Sequence, residues 1–190
     1  MRTRMNKEVR IPAEIRRVVL CGFMGAGKTT TGRLLAARLG WRFQDADSVI
    51  EKETGLKISE IFSQFGEPHF RDLEHKTICR LLQENELVLA LGGGALEHPG
   101  TREQLLSSSA TFFVHLSVTM ETALSRSGGT ETVRPVFNDR ARLQARYDSR
   151  LPFYQQAHLT IPTNDISASE VTERLARIIE GVTQSAGTRD

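Results

Sequence analysis

Apolar residues along the chain come in two rhythms. Dense apolar blocks at residues 18–21, 87–91 and 111–116 have the length of buried strands. Elsewhere apolar side chains recur at steps of three and four. Ile58, Ile61, Phe62 and Phe65 form one set, and Phe70, Leu73, Thr77, Ile78, Leu81 and Leu82 continue the spacing in a second helix. Val171, Leu175, Ile178, Ile179 and Val182 form another near the end. That spacing lines one face of a helix. Residues 28–39, rich in Leu, Ala and Arg, and residues 120–126 add helices, while 41–44 and 159–162 add short strands. Strands alternating with helices predict an α/β domain, a mostly parallel sheet covered on both faces. Ligands of such sheets gather at the carboxyl ends of the strands.

Bulk composition narrows the class without naming a function. A chain of 190 residues predicts one domain. The formal net charge of +2 gives no reason to expect a nucleic-acid or membrane partner. No apolar stretch approaches the roughly 20 residues that span a bilayer. Residues 1–17 are basic, lack the apolar core of a secretory signal and read as a flexible leader. Residues 18–185 then form the single domain, and 186–190 a disordered tail. Cys21 in a strand and Cys79 in a helix imply a reducing compartment, hence the cytoplasm, and no disulfide framework. The five histidines show no metal-ligand spacing. With no heptad pattern or apolar surface stripe, a monomer is expected.

Three glycine-rich or acidic stretches fall at predicted strand ends, which makes them parts of one site. Gly22, Gly27, Lys28 and Thr29 satisfy Gly-x-x-x-x-Gly-Lys-Thr between a strand and a helix. Such a loop cradles phosphates with its backbone amides, here Gly25, Ala26, Gly27, Lys28, Thr29 and Thr30. Lys28 reaches the β- and γ-phosphates, and Thr29 ligates Mg²⁺. The fold expected is therefore of the P-loop NTPase type, a three-layer α/β/α domain with ATP as co-substrate and Mg²⁺ as its metal. Asp45-Ala46-Asp47 sets two carboxylates at the next strand end, one suited to a metal-bound water and one to polarising a hydroxyl. A helix N-cap is the alternative for either. Gly92-Gly93-Gly94 implies a backbone that must be approached closely. Arg71, Arg134 and Arg150 suit a small anionic substrate, since the guanidinium fork matches a carboxylate. Residues 127–139 hold Gly128-Gly129 and few apolar side chains, which predicts a mobile lid carrying Arg134. For Arg140, Arg142 and Arg146 a solvated helix face is expected. A nucleic-acid helix over 140–150 is disfavoured by Asp139 and Asp148.

Taken together, "GFMGAGKTTTGRLLA", "FQDADSVIEKETGLKISEIF", "GEPHFRDLE", "GGGAL", "VRP" and "SRLPFYQQA" resemble the shikimate kinase family over about residues 18–179. The resemblance implies a nucleoside monophosphate kinase-like fold with a mobile lid. It also implies transfer of the γ-phosphate of ATP to the 3-hydroxyl of shikimate. Asp47 would bind the acceptor's hydroxyls and act as base, and Asp45 would stand near Mg²⁺ through water. Arg71 and Arg150 would clamp the substrate carboxylate, with Glu74 fixing Arg71 and Gly93 and Gly94 lining the pocket. Arg134 would meet the transferring phosphate, while Arg126 and Asn164 would border the adenine. Leu91 departs from the small polar residue usual before the glycine triplet. The rival readings are a gluconate-type kinase, a nucleoside monophosphate kinase, and a nucleotide-binding module without catalysis. Intact Lys28, Asp47 and Arg134 weigh against the last.

Overall fold

The computed structural model describes residues 11–12, 14–127 and 140–186. β1 (Arg17–Cys21) is the middle of a five-stranded sheet completed by β2 (Arg42–Asp45), β3 (Leu87–Ala90), β4 (Thr111–Ser117) and β5 (Leu159–Pro162). The strand order is β2-β3-β1-β4-β5, and every neighbouring pair is parallel. Val18, Val19, Leu20, Leu87, Val88, Leu89, Phe112 and Val114 are all 0% exposed. Strands apolar on both faces require helices on both, and the chain supplies them.

Strand register decides where the chemistry sits. Leu20 pairs with Ala90, and Ala90 with Asp45, so β3 and β2 finish at one level and β1 one residue beyond it. The glycine loop, the glycine triplet and the acidic pair therefore emerge side by side.

Helix α1 (Lys28–Leu39) follows β1 and packs on the C-terminal α7 (Ala168–Ala186). After β2 come α2 (Ala46–Thr54) and α3 (Ile58–Leu81). α3 is kinked at Gly66, with φ 80° and ψ 168°, and Pro68 follows two residues later. The two apolar runs expected as separate helices are thus two rods meeting at a bend. Ile50 of α2 packs against Ile61 and Phe70, one from each side of that bend. A 3-10 turn (Ala95–Glu97) and α4 (Pro99–Ser107) follow β3, α5 (Met120–Ser127) follows β4, and α6 (Arg140–Tyr154) precedes β5. No helix among the described residues is long and apolar enough to cross a membrane.

Several expectations shift. The packed domain begins before residue 18: Ile15 is 7% exposed in the core, Arg16 N–H donates to the Ala110 carbonyl at 3.0 Å, and Arg17 opens β1. Two basic neighbours had masked that one apolar anchor. The remainder of the expected leader (residues 1–10 and 13) lies outside the described residues. Ala186, expected in the tail, closes α7, and 187–190 lie outside the described residues. So does nearly all of the expected lid, 128–139, with Arg134.

Candidate active site

The phosphate loop ends in a helix start that lacks a side-chain cap. Gly27 is the N-cap of α1 in the left-handed region, φ 88°, and no side chain accepts a bond from the first turn. A β-carbon there would be strained, which accounts for glycine. The amides of that turn and the positive end of the helix dipole form an anion-binding cradle. Lys28 Nζ donates to the carbonyls of Gly22 at 2.8 Å and Phe23 at 3.1 Å, which folds its ammonium across the loop. Burial lowers the Lys28 pKa, and Asp47 and Asp45 are among the groups that oppose the shift.

Asp45 caps α2 and also faces the phosphate loop. Its Oδ1 accepts from Ser48 N at 3.4 Å as the N-cap of α2, while its Oδ2 accepts from Thr29 Oγ1 at 3.0 Å. A hydroxyl and a carboxylate converging beside the phosphate loop form a hard-oxygen set suited to Mg²⁺. Asp47 lies in the first turn of α2. With Lys28, Thr29, Asp45, Leu91, Gly92, Gly93 and Arg150 it lines a cavity of about 410 Å³. Leu91 is 2% exposed, so it gives that cavity an apolar edge.

The glycine triplet is crowded by the protein's own side chains. A β-carbon on Gly92 would lie 2.5 Å from Glu74 Oε1 and 2.8 Å from Asp47 Oδ1. One on Gly94 would collide with Nη2 of Arg71 and come within 2.7 Å of Nη2 of Arg150. Those two nitrogens therefore lie within about 5 Å of each other, where unit charges repel by about 3 kcal/mol at an effective dielectric near 20. Carboxylates balance them. Arg71 Nη1 donates to Glu74 Oε2 at 2.7 Å and its Nη2 to Glu67 Oε1 at 2.9 Å. Arg150 Nε donates to Glu97 Oε1 at 2.6 Å, and Tyr154 of the same helix donates to the Gly93 carbonyl. The rings of Phe70 and Phe62 lie 5.2 and 5.9 Å from the Arg71 guanidinium carbon.

Glu74 is 1% exposed, and burial raises its pKa to about 7 against the pull of Arg71. Between its ordinary 4.5 and 7, the folded chain keeps a proton that the unfolded chain has released. The group therefore favours folding less as pH rises through that window, and its contribution levels off above about 7. Urea midpoints should follow: the stability of wild type relative to Glu74→Gln is expected to fall between about pH 4.5 and about pH 7. A difference that stays flat across that range would remove the elevated carboxyl.

At the other end of the loop, Arg126 Nη2 donates to the carbonyls of Thr163 at 2.6 Å and Asn164 at 3.2 Å, and its Nη1 to Gly25 at 3.3 Å. Asn164 Oδ1 accepts from Thr119 N at 2.8 Å, so this side chain ties the loop after β5 to the start of α5. Beside them a cleft of about 250 Å³ is lined by Ala26, Gly27, Thr30, Arg126, Thr163 and Ser167, among others.

All the expected site residues among the described ones thus gather at the carboxyl edge of β2, β3 and β1 or at the adjoining cleft. Sequence reading missed Glu97, Tyr154, Thr163 and Arg146. Arg146 was expected on a solvated face; it is exposed, yet it lines the larger cavity one turn before Arg150. Its position on α6 (Arg140–Tyr154) was the only available signal.

The family model described as Shikimate kinase matches residues 24–180. A shikimate kinase of Geobacter metallireducens is 39% identical over 173 residues, covering 90% of this chain and 95% of that protein. One from Thermobifida fusca is 42% identical over 162 residues, covering 84% and 92%. Among solved structures, shikimate kinase from Acinetobacter baumannii in complex with shikimate superposes with a TM-score of 0.80 at 36% identity, covering 88% of this chain and 94% of that one.

Proposed function

The chain belongs to the shikimate kinase family, and we infer from that premise how its cavity carries out the reaction. It uses ATP to phosphorylate the 3-hydroxyl of shikimate, giving shikimate 3-phosphate on the route to aromatic amino acids. The observation that carries the reading is the meeting, at one sheet edge, of a phosphate loop with Lys28, a carboxylate at Asp47 and two convergent guanidiniums.

ATP lies with its phosphates on the amides of Gly25 to Thr30 and its base toward Arg126 and Asn164. Arg71 and Arg150 take the acceptor's carboxylate, which orients the ring so that one hydroxyl faces Asp47. Glu74 steadies Arg71, and Gly93 and Gly94 line the ring's pocket while making space for the two guanidiniums. Asp47 accepts the proton of that hydroxyl as its oxygen attacks phosphorus. Lys28 and, from the lid, Arg134 neutralise charge gathering on the phosphoryl oxygens. Thr29, and Asp45 through water, would hold Mg²⁺, which would supply neutralisation of phosphate charge. Little covalent chemistry falls to the protein, so position and charge carry the rate. We further infer a protein that handles small molecules and neither nucleic acid nor membrane, from the near-balanced charge. Its two unrelated cysteines support the cytoplasm, and a sequence without heptads supports a monomer.

ADP release with MgATP, compared across shikimate, quinate, gluconate and no acceptor, tests this. Stimulation by shikimate alone is expected. Stimulation by gluconate instead would keep the kinase chemistry and move the acceptor to a sugar acid. Nucleotide binding with no stimulation by any acceptor would favour the binding-module reading.

A further inference from the structure

One carboxylate given no role above touches both guanidiniums of the clamp. Glu97 Oε1 accepts from Arg150 Nε at 2.6 Å, and its Oε2 stands 3.6 Å from Arg71 Nη2. We propose that Glu97 is a positioning residue of the carboxylate clamp, holding Arg71 and Arg150 convergent at Gly94 before the acceptor arrives; this rests on the shikimate kinase reading.

Local structure gives Glu97 a fixed base. Its N–H donates to the Gly94 carbonyl at 2.9 Å, closing the 3-10 turn directly after the triplet. Its own carbonyl accepts from Arg102 Nη1 at 3.1 Å. Arg102 in turn lies over the ring of Phe153, 4.4 Å from its centroid, on the helix that carries Arg150. Turn, α4 and α6 are thereby locked together around one side chain. Gly94, where the guanidiniums meet, opens the same turn.

The contacts are those of a holder and not of a plug. Glu97 grips Arg150 by Nε, so the terminal nitrogens stay beside the triplet, with Nη1 3.4 Å from a β-carbon position on Gly93 and Nη2 2.7 Å from one on Gly94. Its approach to Arg71 is longer than a hydrogen bond and leaves that guanidinium tied by Glu74 and Glu67. Without this charge the two cations repel each other across Gly94. The acceptor must then draw them together with its own carboxylate. The clamp holds that carboxylate alike before and during transfer, so the loss is one of uniform binding, which raises KM and spares kcat.

Glu97→Gln keeps the shape and removes the charge. It is expected to raise KM for shikimate by about tenfold, with KM for MgATP within about twofold and kcat within about threefold of wild type. The penalty should shrink for an acceptor whose carboxylate is reduced to hydroxymethyl. Glu97→Asp, which keeps the charge, should recover most of the loss. An unchanged shikimate KM in Glu97→Gln overturns the proposal, and a lowered one would make Glu97 a competitor for the clamp. An equal penalty for both acceptors, or an Asp variant as impaired as Gln, would reduce its role to general structure and overturn it too. Wild type that shows no shikimate-stimulated ADP release would sink the functional reading itself, an outcome separate from all of these.

Discussion

Asp47→Asn is expected to lower kcat by about a thousandfold while leaving the affinity for MgATP within about twofold of wild type. The amide fills the same space beside Gly92, where Asp47 Oδ1 stands 2.8 Å from a β-carbon position, so neither fold nor cavity shape should change. On the mechanism proposed above, what disappears is the ability to accept a proton from the attacking hydroxyl. The proposed nucleotide cradle, the Gly25–Thr30 backbone with Lys28, is untouched. Lys28 loses one of the negative charges that oppose the lowering of its pKa by burial, and Asp45 still opposes it. Steady-state ADP release together with equilibrium nucleotide binding separates the two effects. Turnover close to wild type would remove Asp47 from the chemistry and leave it a binding role.

Lys28→Ala should behave differently, because its ammonium has two tasks. It ties the loop together through the carbonyls of Gly22 and Phe23, and in the mechanism proposed above it neutralises charge on the phosphoryl oxygens. We expect kcat to fall by about 100- to 1,000-fold, with MgATP affinity reduced as well. Lys28→Arg should not restore activity, since a planar fork cannot reproduce a compact charge held at two carbonyls. Normal turnover with weakened nucleotide binding would confine Lys28 to the ground state; normal values of both would undercut the phosphate-loop reading.

How legible the molecule was depended on whether a feature is local. The phosphate loop, the acidic pair and the triplet each sit directly after an apolar block, so the sequence pattern located them at strand ends. Periodicity separated the halves of α3, and Gly66 with Pro68 explains the break between them. α4 was not legible because its buried residues are only Thr101 and Leu105, too few to form a stripe. Glu97 was invisible for another reason. Its meaning comes from Arg150, 53 residues away, and from Arg71 on a different helix. No window of sequence contains that relation. Arg146 reads as one more arginine on a polar helix until α6 is seen to cross the cavity. The triplet was read as a backbone that must be approached closely, and the side chains that approach it, Glu74, Asp47, Arg71 and Arg150, come from other elements.

The fixed register of β1, β3 and β2 acts as a ruler. Asp47 follows β2 by two residues and the phosphate loop follows β1 by one, so the span between donor and acceptor is counted in residues from paired ends. Lengthening a helix or a loop on the far side of the sheet leaves that count untouched. Inserting one residue within β2 would slide its end by about 3.3 Å along the strand and reverse the faces of the side chains beyond it. The reach between phosphorus and hydroxyl is thus calibrated by strands that touch neither.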